Sequence, residues 1–247
     1  MSDNTERSPL KIWQSVIIGS LLGDGSIQRN HKRWIFSEEH TEKQKEYIVW
    51  KSRMIPGSRY TEYERDFGKV CRLRTISDEY YLKLRNEWYP NGKKIVPKSI
   101  LKNLDEIALT VWYLDDGDNA GSKKQMKYLD GLTHRNTARI ATHSFTYKEN
   151  LLLRRALHKN FGIVVNITKD REYYRMYFPS KTKAVDKLME IAKKTFIELD
   201  IPESMKYKIG ERVESRRGIT QRILLEQGII PRKNGRFVSK RCAPPQI

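Results

Sequence analysis

Apolar positions fall into two patterns along this chain: continuous runs of helical length, and short stretches that alternate with polar residues. Ile17-Ile18-Gly19-Ser20-Leu21-Leu22-Gly23-Asp24-Gly25 and Leu109-Thr110-Val111-Trp112-Tyr113-Leu114-Asp115-Asp116-Gly117 are of the first kind, and both close on Asp-Gly. Their length predicts helices, and glycine is the natural C′ residue of a left-handed cap, so each Asp is expected at a helix C-terminus. The negative end of the helix dipole disfavours a carboxylate there by a few tenths to about 1 kcal/mol. A chain that does this twice calls for a compensating cation, and a divalent metal ion fits.

The alternating stretches predict strands. Ser26 to Phe36 is expected to form a hairpin whose second strand leads into a helix near Thr41. Arg59–Arg65 and Val70–Ile76 alternate with period two around Asp66-Phe67-Gly68-Lys69, a second hairpin with Arg72 and Arg74 on one face and Cys71, Leu73 and Thr75 on the other. Ser77 is expected to cap a helix reaching about Trp88, where Tyr89-Pro90-Asn91-Gly92 breaks it. The second half repeats this order after a polar stretch from Asn119 to Asn136. A strand Thr137–Phe145 is followed by a Thr146/Glu149 capping box, which opens a helix that Gly162 stops. Ile163–Thr168 and Tyr173–Phe178 then form a hairpin around Lys169-Asp170-Arg171-Glu172, and Lys183–Phe196 the closing helix.

The predicted class is therefore α+β, with an αββαββα unit occurring twice, at 10–105 and 106–210, and Asp24 and Asp116 lying 92 positions apart. Residues 211–247 make a basic extension, nine Lys/Arg against three acids, with a short helix expected at Ile219–Gln227. Either a solubilising tail or an added nucleic-acid backbone contact accounts for it.

Charge narrows the partner. A formal net charge of +18 over 247 residues suits a polyanion, which would release counterions on binding such a surface, and nucleic acid leads the candidates. No apolar run approaches the roughly 20 residues needed to span a bilayer, so no membrane partner is expected. Met1-Ser2-Asp3-Asn4-Thr5-Glu6-Arg7 has neither a signal-peptide core nor the acid-poor look of a transit peptide. An intracellular protein is expected, in the cytoplasm or nucleoid of a prokaryote or in an organelle that encodes it. Cys71 and Cys242 stand far apart without a zinc spacing, and the five His residues form no HExxH, so neither a disulfide framework nor a zinc site is supported.

The two Asp-Gly-terminated runs, in a basic chain with parallel halves, resemble the LAGLIDADG homing endonucleases, specifically the single-chain members with two motifs. The resemblance covers roughly residues 12 to 210. It implies two motif helices packed side by side at the centre of a pseudo-twofold molecule, with Asp24 and Asp116 holding catalytic metal over DNA. Gly23 and Asp115, the residues just before them, are further candidates at the metal site, although Asp115 is expected to point elsewhere around its helix. Mg²⁺ is the expected ion, with Mn²⁺ substituting. Segments similar to the family's basic helpers, Gly92–Pro97 and Ile201–Lys208, make Lys94 and Lys208 candidates for polarising water and stabilising charge, with Lys93 and Lys206 as rivals. Glu38 and His143 match positions that organise water around the metals, and Glu39 could stand in for Glu38.

The family's two curved sheets form a DNA saddle. Here the outward candidates are Gln28, Asn30, Arg59, Arg72, Arg74, Asn166, Thr168 and Arg175, side chains suited to base edges. Gly19 and Gly23 permit close helix approach in the first motif, whereas the second has Val111 and Asp115 at the matching positions, so asymmetric packing and an asymmetric target are expected. The expected function is site-specific, staggered double-strand cleavage of DNA by a monomer, promoting homing of its own coding element. Two alternatives stay open on the same fold: a maturase whose partner is intron RNA, and a non-catalytic DNA-binding regulator.

Overall fold

A computed structural model describes residues 11–66, 68–119 and 137–209, with 229–231 and 237–239 of the extension. The first half runs α1 (Ile12–Leu22), β1 (Ser26–Asn30), β2 (Arg33–Thr41), α2 (Lys45–Met54), β3 (Ser58–Arg65), β4 (Gly68–Thr75) and α3 (Glu79–Trp88). A short α4 (Ile100–Asn103) leads into the second: α5 (Glu106–Asp116), β5 (Gly117–Asn119), β6 (Thr137–Ala141), α6 (Tyr147–Phe161), β7 (Asn166–Asp170), β8 (Tyr173–Pro179) and α7 (Ala184–Glu198). One turn of helix, α8 (Lys206–Ile209), follows, and in the extension β9 (Ile229–Pro231) pairs with β10 (Phe237–Ser239). Residues 1–210 make one compact unit and 211–247 another. The two four-stranded antiparallel sheets have the same order, β1-β2-β4-β3 and β5-β6-β8-β7, so the αββαββα unit occurs twice.

Everything is arranged around α1 and α5. Ser15 to Leu22 and Ala108 to Asp115 are buried throughout, as helices surrounded by protein on every side must be. The two run parallel. Ser15 Oγ donates to the Asp105 carboxylate (2.5 Å), whose other oxygen caps α5 by accepting from the Ala108 N–H (2.8 Å). One turn on, a Cβ placed on Gly19 would lie 2.5 Å from the Ala108 carbonyl and 2.7 Å from the Val111 Cβ. A further turn on, one placed on Gly23 would lie 2.6 Å from the Asp115 Cβ. The bare side of α1 thus receives the larger residues of α5, which is the asymmetric packing the two motifs predict.

Strand register fixes the faces, because side chains alternate and directly paired residues share a side. Pairing of Gln28 with Ile35, Ser37 with Arg74, Glu39 with Arg72 and Arg59 with Arg74 puts Gln28, Asn30, Arg59, Arg72 and Arg74 on one outer face. Pairing of Asn166 with Tyr177 and Thr168 with Arg175 does the same for the second sheet. The opposite faces carry the core, with Ile27, Phe36 and Leu73 in one half and Ile140, Met176 and Phe178 in the other.

Local details depart from expectation where two residues compete for one job. Asp78, not Ser77, caps α3, accepting from the Tyr80 N–H at 2.8 Å. The strand expected to reach Phe145 ends at Ala141, which leaves His143 in the following turn. Turns in both second hairpins are tighter, with Arg171 at φ 57°. Gly25 and Gly117 are not left-handed; glycine is needed there for space, since a Cβ would strike the Phe36 ring (2.7 Å) in one case and the Tyr113 carbonyl and ring in the other. The left-handed cap occurs at Gly162 (φ 61°), closing the helix that the Thr146/Glu149 capping box opens. The polar stretch beyond Asn119 and the helix expected at Ile219–Gln227 lie outside the described residues.

Because the Gly19 contact includes backbone, relief needs movement of a whole helix. Gly19→Ala should lower unfolding free energy by about 1–3 kcal/mol, the usual cost of overpacking. Urea denaturation checks this, and an unchanged midpoint would mean that the two helices are not in contact at that turn.

Candidate active site

Parallel packing brings the C-terminal ends of α1 and α5 together, with Asp24, Asp115 and Asp116 at that one end. Asp24 stands just beyond the Gly23 cap of α1 with its side chain 42% exposed, whereas Asp116 is the last residue of α5 and only partly accessible. Neither carboxylate accepts a hydrogen bond from a described residue. Burial pushes the Asp116 carboxyl up to about 7, with Asp24 and Asp115 adding to the effect and Lys94 and Lys208 opposing it.

Each helix end is met by a lysine. Lys94 Nζ donates to the carbonyls of Gly23 (3.2 Å) and Gly25 (2.7 Å), and Lys208 Nζ to those of Asp115 (3.4 Å) and Gly117 (2.6 Å). The two are therefore placed equivalently about the pseudo-twofold, each on the residues flanking its motif Asp. Burial lowers the pKa of both; Asp116 and Asp24 resist this at Lys94, and Asp115, Asp116 and Asp24 at Lys208. The loop carrying Lys94 is held by Ile95 N–H on the Trp88 carbonyl (2.8 Å) and Val96 N–H on Glu149 (3.0 Å). Lys208 is held through its own carbonyl, which accepts from the Tyr113 hydroxyl (2.9 Å). Lys93 is exposed, and Lys206 binds Glu203 at 2.7 Å.

Asp115 points the other way, into a buried charged group that sequence reasoning missed. Lys51, fully buried on α2, donates to both Asp115 oxygens (2.8 and 3.0 Å), to Glu38 (2.5 Å) and to Ser20 Oγ (2.9 Å). Tyr47 adds a hydroxyl bond to Asp115 (3.0 Å), and His40 bonds Glu38 through Nε2 (2.5 Å) while its Nδ1 lies 3.8 Å from Asp24. Burial disfavours charge on Glu38, but Lys51 and His40 outweigh it and take its pKa down to about 2. Burial likewise works against charge on Lys51 and His40, yet the carboxylates raise both above their usual values. Asp115 is pushed up to about 6 by burial, against the pull of Lys51.

Glu38 is thus enclosed rather than facing open solvent, because its neighbours on the inward face of β2 are Phe36 and His40. A signal was available: Lys51 shares a helix face with Tyr47 and Ile48, an apolar stripe where a lysine needs a partner. His143 is exposed in the turn after β6, where it accepts from Arg175 (3.2 Å) and touches neither motif Asp.

The donor set suits a hard divalent ion: two carboxylates without hydrogen bonds, with backbone carbonyls beside them. Among the described residues, Asp24, His40 and Asp115 also place one ligand atom each within 4.8 Å of one another. The nitrogens of His40 are engaged by Glu38 and Gln44, and both Asp115 oxygens by Lys51, so Asp24 and Asp116 are the better-suited ligands.

On the outer sheet faces the basic residues divide. Arg72 is bound to Glu39 (2.5 Å) and Arg175 to Asp170. Arg59 and Arg74 lie directly opposite each other on adjacent strands, both exposed and unpaired with any described acid. Like charges in that position repel, so the arrangement favours a polyanion. They line a cavity of about 450 Å³ with Asn30, Arg33 and Ser77. Gln28 on the first sheet and Asn166 and Thr168 on the second are also exposed on the outer faces.

Residues 14–186 match the profile of the LAGLIDADG DNA endonuclease family. The chain is 28% identical over 212 residues to cytochrome b mRNA maturase bI2 of Debaryomyces hansenii, covering 79% of this chain and 72% of that protein. It is 26% identical over 201 residues to Protein RecA of Mycolicibacterium flavescens, spanning 80% of this chain but 46% of that relative. The fold is similar to that of the homing endonuclease I-WcaI bound to its DNA recognition sequence, with a TM-score of 0.66 and 22% identity, covering 86% of this chain and 96% of that one.

The Asp116 carboxyl generates a pH signature in metal-free protein. Its folded pKa of about 7 exceeds the ordinary 3.8, so the native state holds a proton that the unfolded state has lost, and stability must fall as pH rises through that window. In EDTA, Asp116→Asn should therefore melt above the wild type at pH 8 and level with it near pH 4. Mg²⁺ should then raise the wild-type melting temperature more than the variant's. Identical pH slopes for the two proteins would refute the assignment.

Proposed function

The chain belongs to the LAGLIDADG DNA endonuclease family, and from that premise we propose that it is a site-specific endonuclease making a staggered double-strand break in a long, asymmetric duplex and so promoting homing of its own coding element. One observation carries the reading. Asp24 and Asp116 stand free of hydrogen bonds at the adjoining ends of two parallel helices, and each helix end has its own lysine on the flanking carbonyls. A non-catalytic binding protein has no use for carboxylates held at that electrostatic cost.

Asp24 and Asp116 would hold divalent metal, Mg²⁺ by preference for oxygen ligands and Mn²⁺ as a substitute. Bound there, the ion supplies Lewis-acid activation of water and charge stabilisation at the scissile phosphate. Lys94 and Lys208, with pKa values lowered by burial, are suited to hold or pass a proton of the attacking water and to stabilise negative charge as the phosphorus centre becomes five-coordinate. The outer sheet faces supply recognition: Gln28, Asn30, Arg59, Arg74, Asn166 and Thr168 carry the donors and acceptors that read base edges, while Arg72 and Arg175 must first exchange an acid for the DNA. Different residues on the two faces support a non-palindromic target. One chain contains both motif helices, which supports action as a monomer.

A second reading, with intron RNA as partner, is favoured by the likeness to a cytochrome b mRNA maturase. It is compatible with cleavage.

Incubation with a randomised duplex library and Mg²⁺, followed by sequencing of the broken ends, tests the main reading. One long asymmetric sequence should emerge. Asp24→Asn and Asp116→Asn should each abolish double-strand cleavage, and Lys94→Met or Lys208→Met should slow it by about 10²–10³-fold, as for loss of a charge-stabilising group. Tight duplex binding without breakage in either Mg²⁺ or Mn²⁺ would sink the nuclease and leave the binding protein.

A further inference from the structure

Among the described residues, the charged group around Lys51 has no counterpart in the other half. In the second half a buried polar contact is neutral, Thr142 Oγ1 on Asn150 (2.6 Å), and among the described residues Lys51 is the buried lysine. Its three ammonium protons are fully used, on Asp115, Glu38 and Ser20. Three of the elements involved, α1, β2 and α2, belong to the first half, and Asp115 alone comes from the second. The side chain of Asp115 is therefore anchored in the opposite half from its own backbone. It fills the space left bare by Gly23, whose added Cβ would lie 2.8 Å from Asp115 Oδ2.

That anchor reaches the two motif Asp residues by different routes. Asp116 follows Asp115 directly on the last turn of α5, so its position is set by a buried ion pair on one side and by Lys208 on the flanking carbonyls. Asp24 lies between two glycines beyond the end of its helix, and its tie to the group is looser: His40 Nδ1 lies 3.8 Å from its carboxylate, with His40 held in turn by Glu38. Resting on the endonuclease reading above, we propose that Lys51 is a positioning residue chiefly for the second motif: by holding Asp115 directly against α1 it sets where Asp116 stands relative to Asp24, so that the two DNA strands are cut at unequal rates whose ratio depends on Lys51. Lys51 touches neither DNA nor the reacting atoms, and its effect passes through the α5 backbone. A displacement of even 1 Å at a reacting group is enough to change a rate by about 100-fold.

The test uses the full chain and a duplex that the wild type cuts, with each strand labelled separately under single-turnover conditions. Two variants are compared. Lys51→Met leaves an unpaired buried carboxylate and is expected to melt lower; Lys51→Met/Asp115→Asn removes one charge of each sign, keeping Glu38 with His40, and is expected to regain most of that stability. In both, the ratio of the two strand-specific rate constants should shift by about tenfold or more. A ratio within about twofold of wild type in the double variant, whatever its total rate or melting temperature, overturns the proposal and makes Lys51 a structural bolt. Failure of the wild type to cut any duplex would instead overturn the endonuclease reading on which this one rests.

Discussion

Two helices that pack in parallel must end in the same place, and that constraint organises everything else in this molecule. Both negative dipole ends meet there, together with Asp24, Asp115 and Asp116. Left alone, the arrangement would repel itself apart. Three lysines answer it in different ways: Lys94 and Lys208 take the exposed carbonyls of the two helix ends, and Lys51 takes the one carboxylate that turns inward. What remains without a hydrogen bond is the pair Asp24 and Asp116, which is the pair a bound cation would serve.

The sheets separate their duties by face. Inward positions of β2 carry Phe36, Glu38 and His40, so the same strand that packs the core also carries the acid that shares Lys51. Outward positions carry the residues that could meet a duplex. There the acids Glu39 and Asp170 already occupy Arg72 and Arg175, while Arg59 and Arg74 repel each other across β3 and β4. Affinity for a polyanion thus concentrates at the unpaired arginines, and the paired ones carry a desolvation and exchange cost that makes their contribution depend on what replaces the acid. A face built in this way rewards shape and sequence as well as charge.

Local patterns made most of the fold legible. Apolar runs, alternation and the Thr146/Glu149 box each specify an element within a few residues, and the repeated order of those elements implies the two sheets. Competition between neighbours explains the small misses: Ser77 and Asp78 can both cap, and only the chain direction into α3 selects the second. The deeper misses are non-local. Glu38 reads as a strand-end surface acid until the register turns it inward and α2 brings Lys51 to it. The glycine of each Asp-Gly suggests a left-handed cap, but Phe36 and Tyr113, packed against those backbones, make it a matter of room. Of the candidate site, the two motif Asp residues and their two lysines could be named from the family resemblance. The asymmetry between Gly23 and Asp115 was visible as well, but not the lysine that makes it tolerable.

The Asp115 anchor also bears on whether either half could live with a copy of itself. Two first halves would set Gly23 against Gly23, leaving a hollow on each side and Lys51 with Glu38 as its one carboxylate. Two second halves would press Asp115 against Asp115 with no buried lysine among the described residues to separate them, and an uncompensated interior charge costs about 3–5 kcal/mol. Neither half is self-complementary, whereas the unlike pair fits like lock and bolt. Cutting this chain in two would therefore not yield halves that close on copies of themselves, because the linkage between the halves is written into their interior as well as into their backbone.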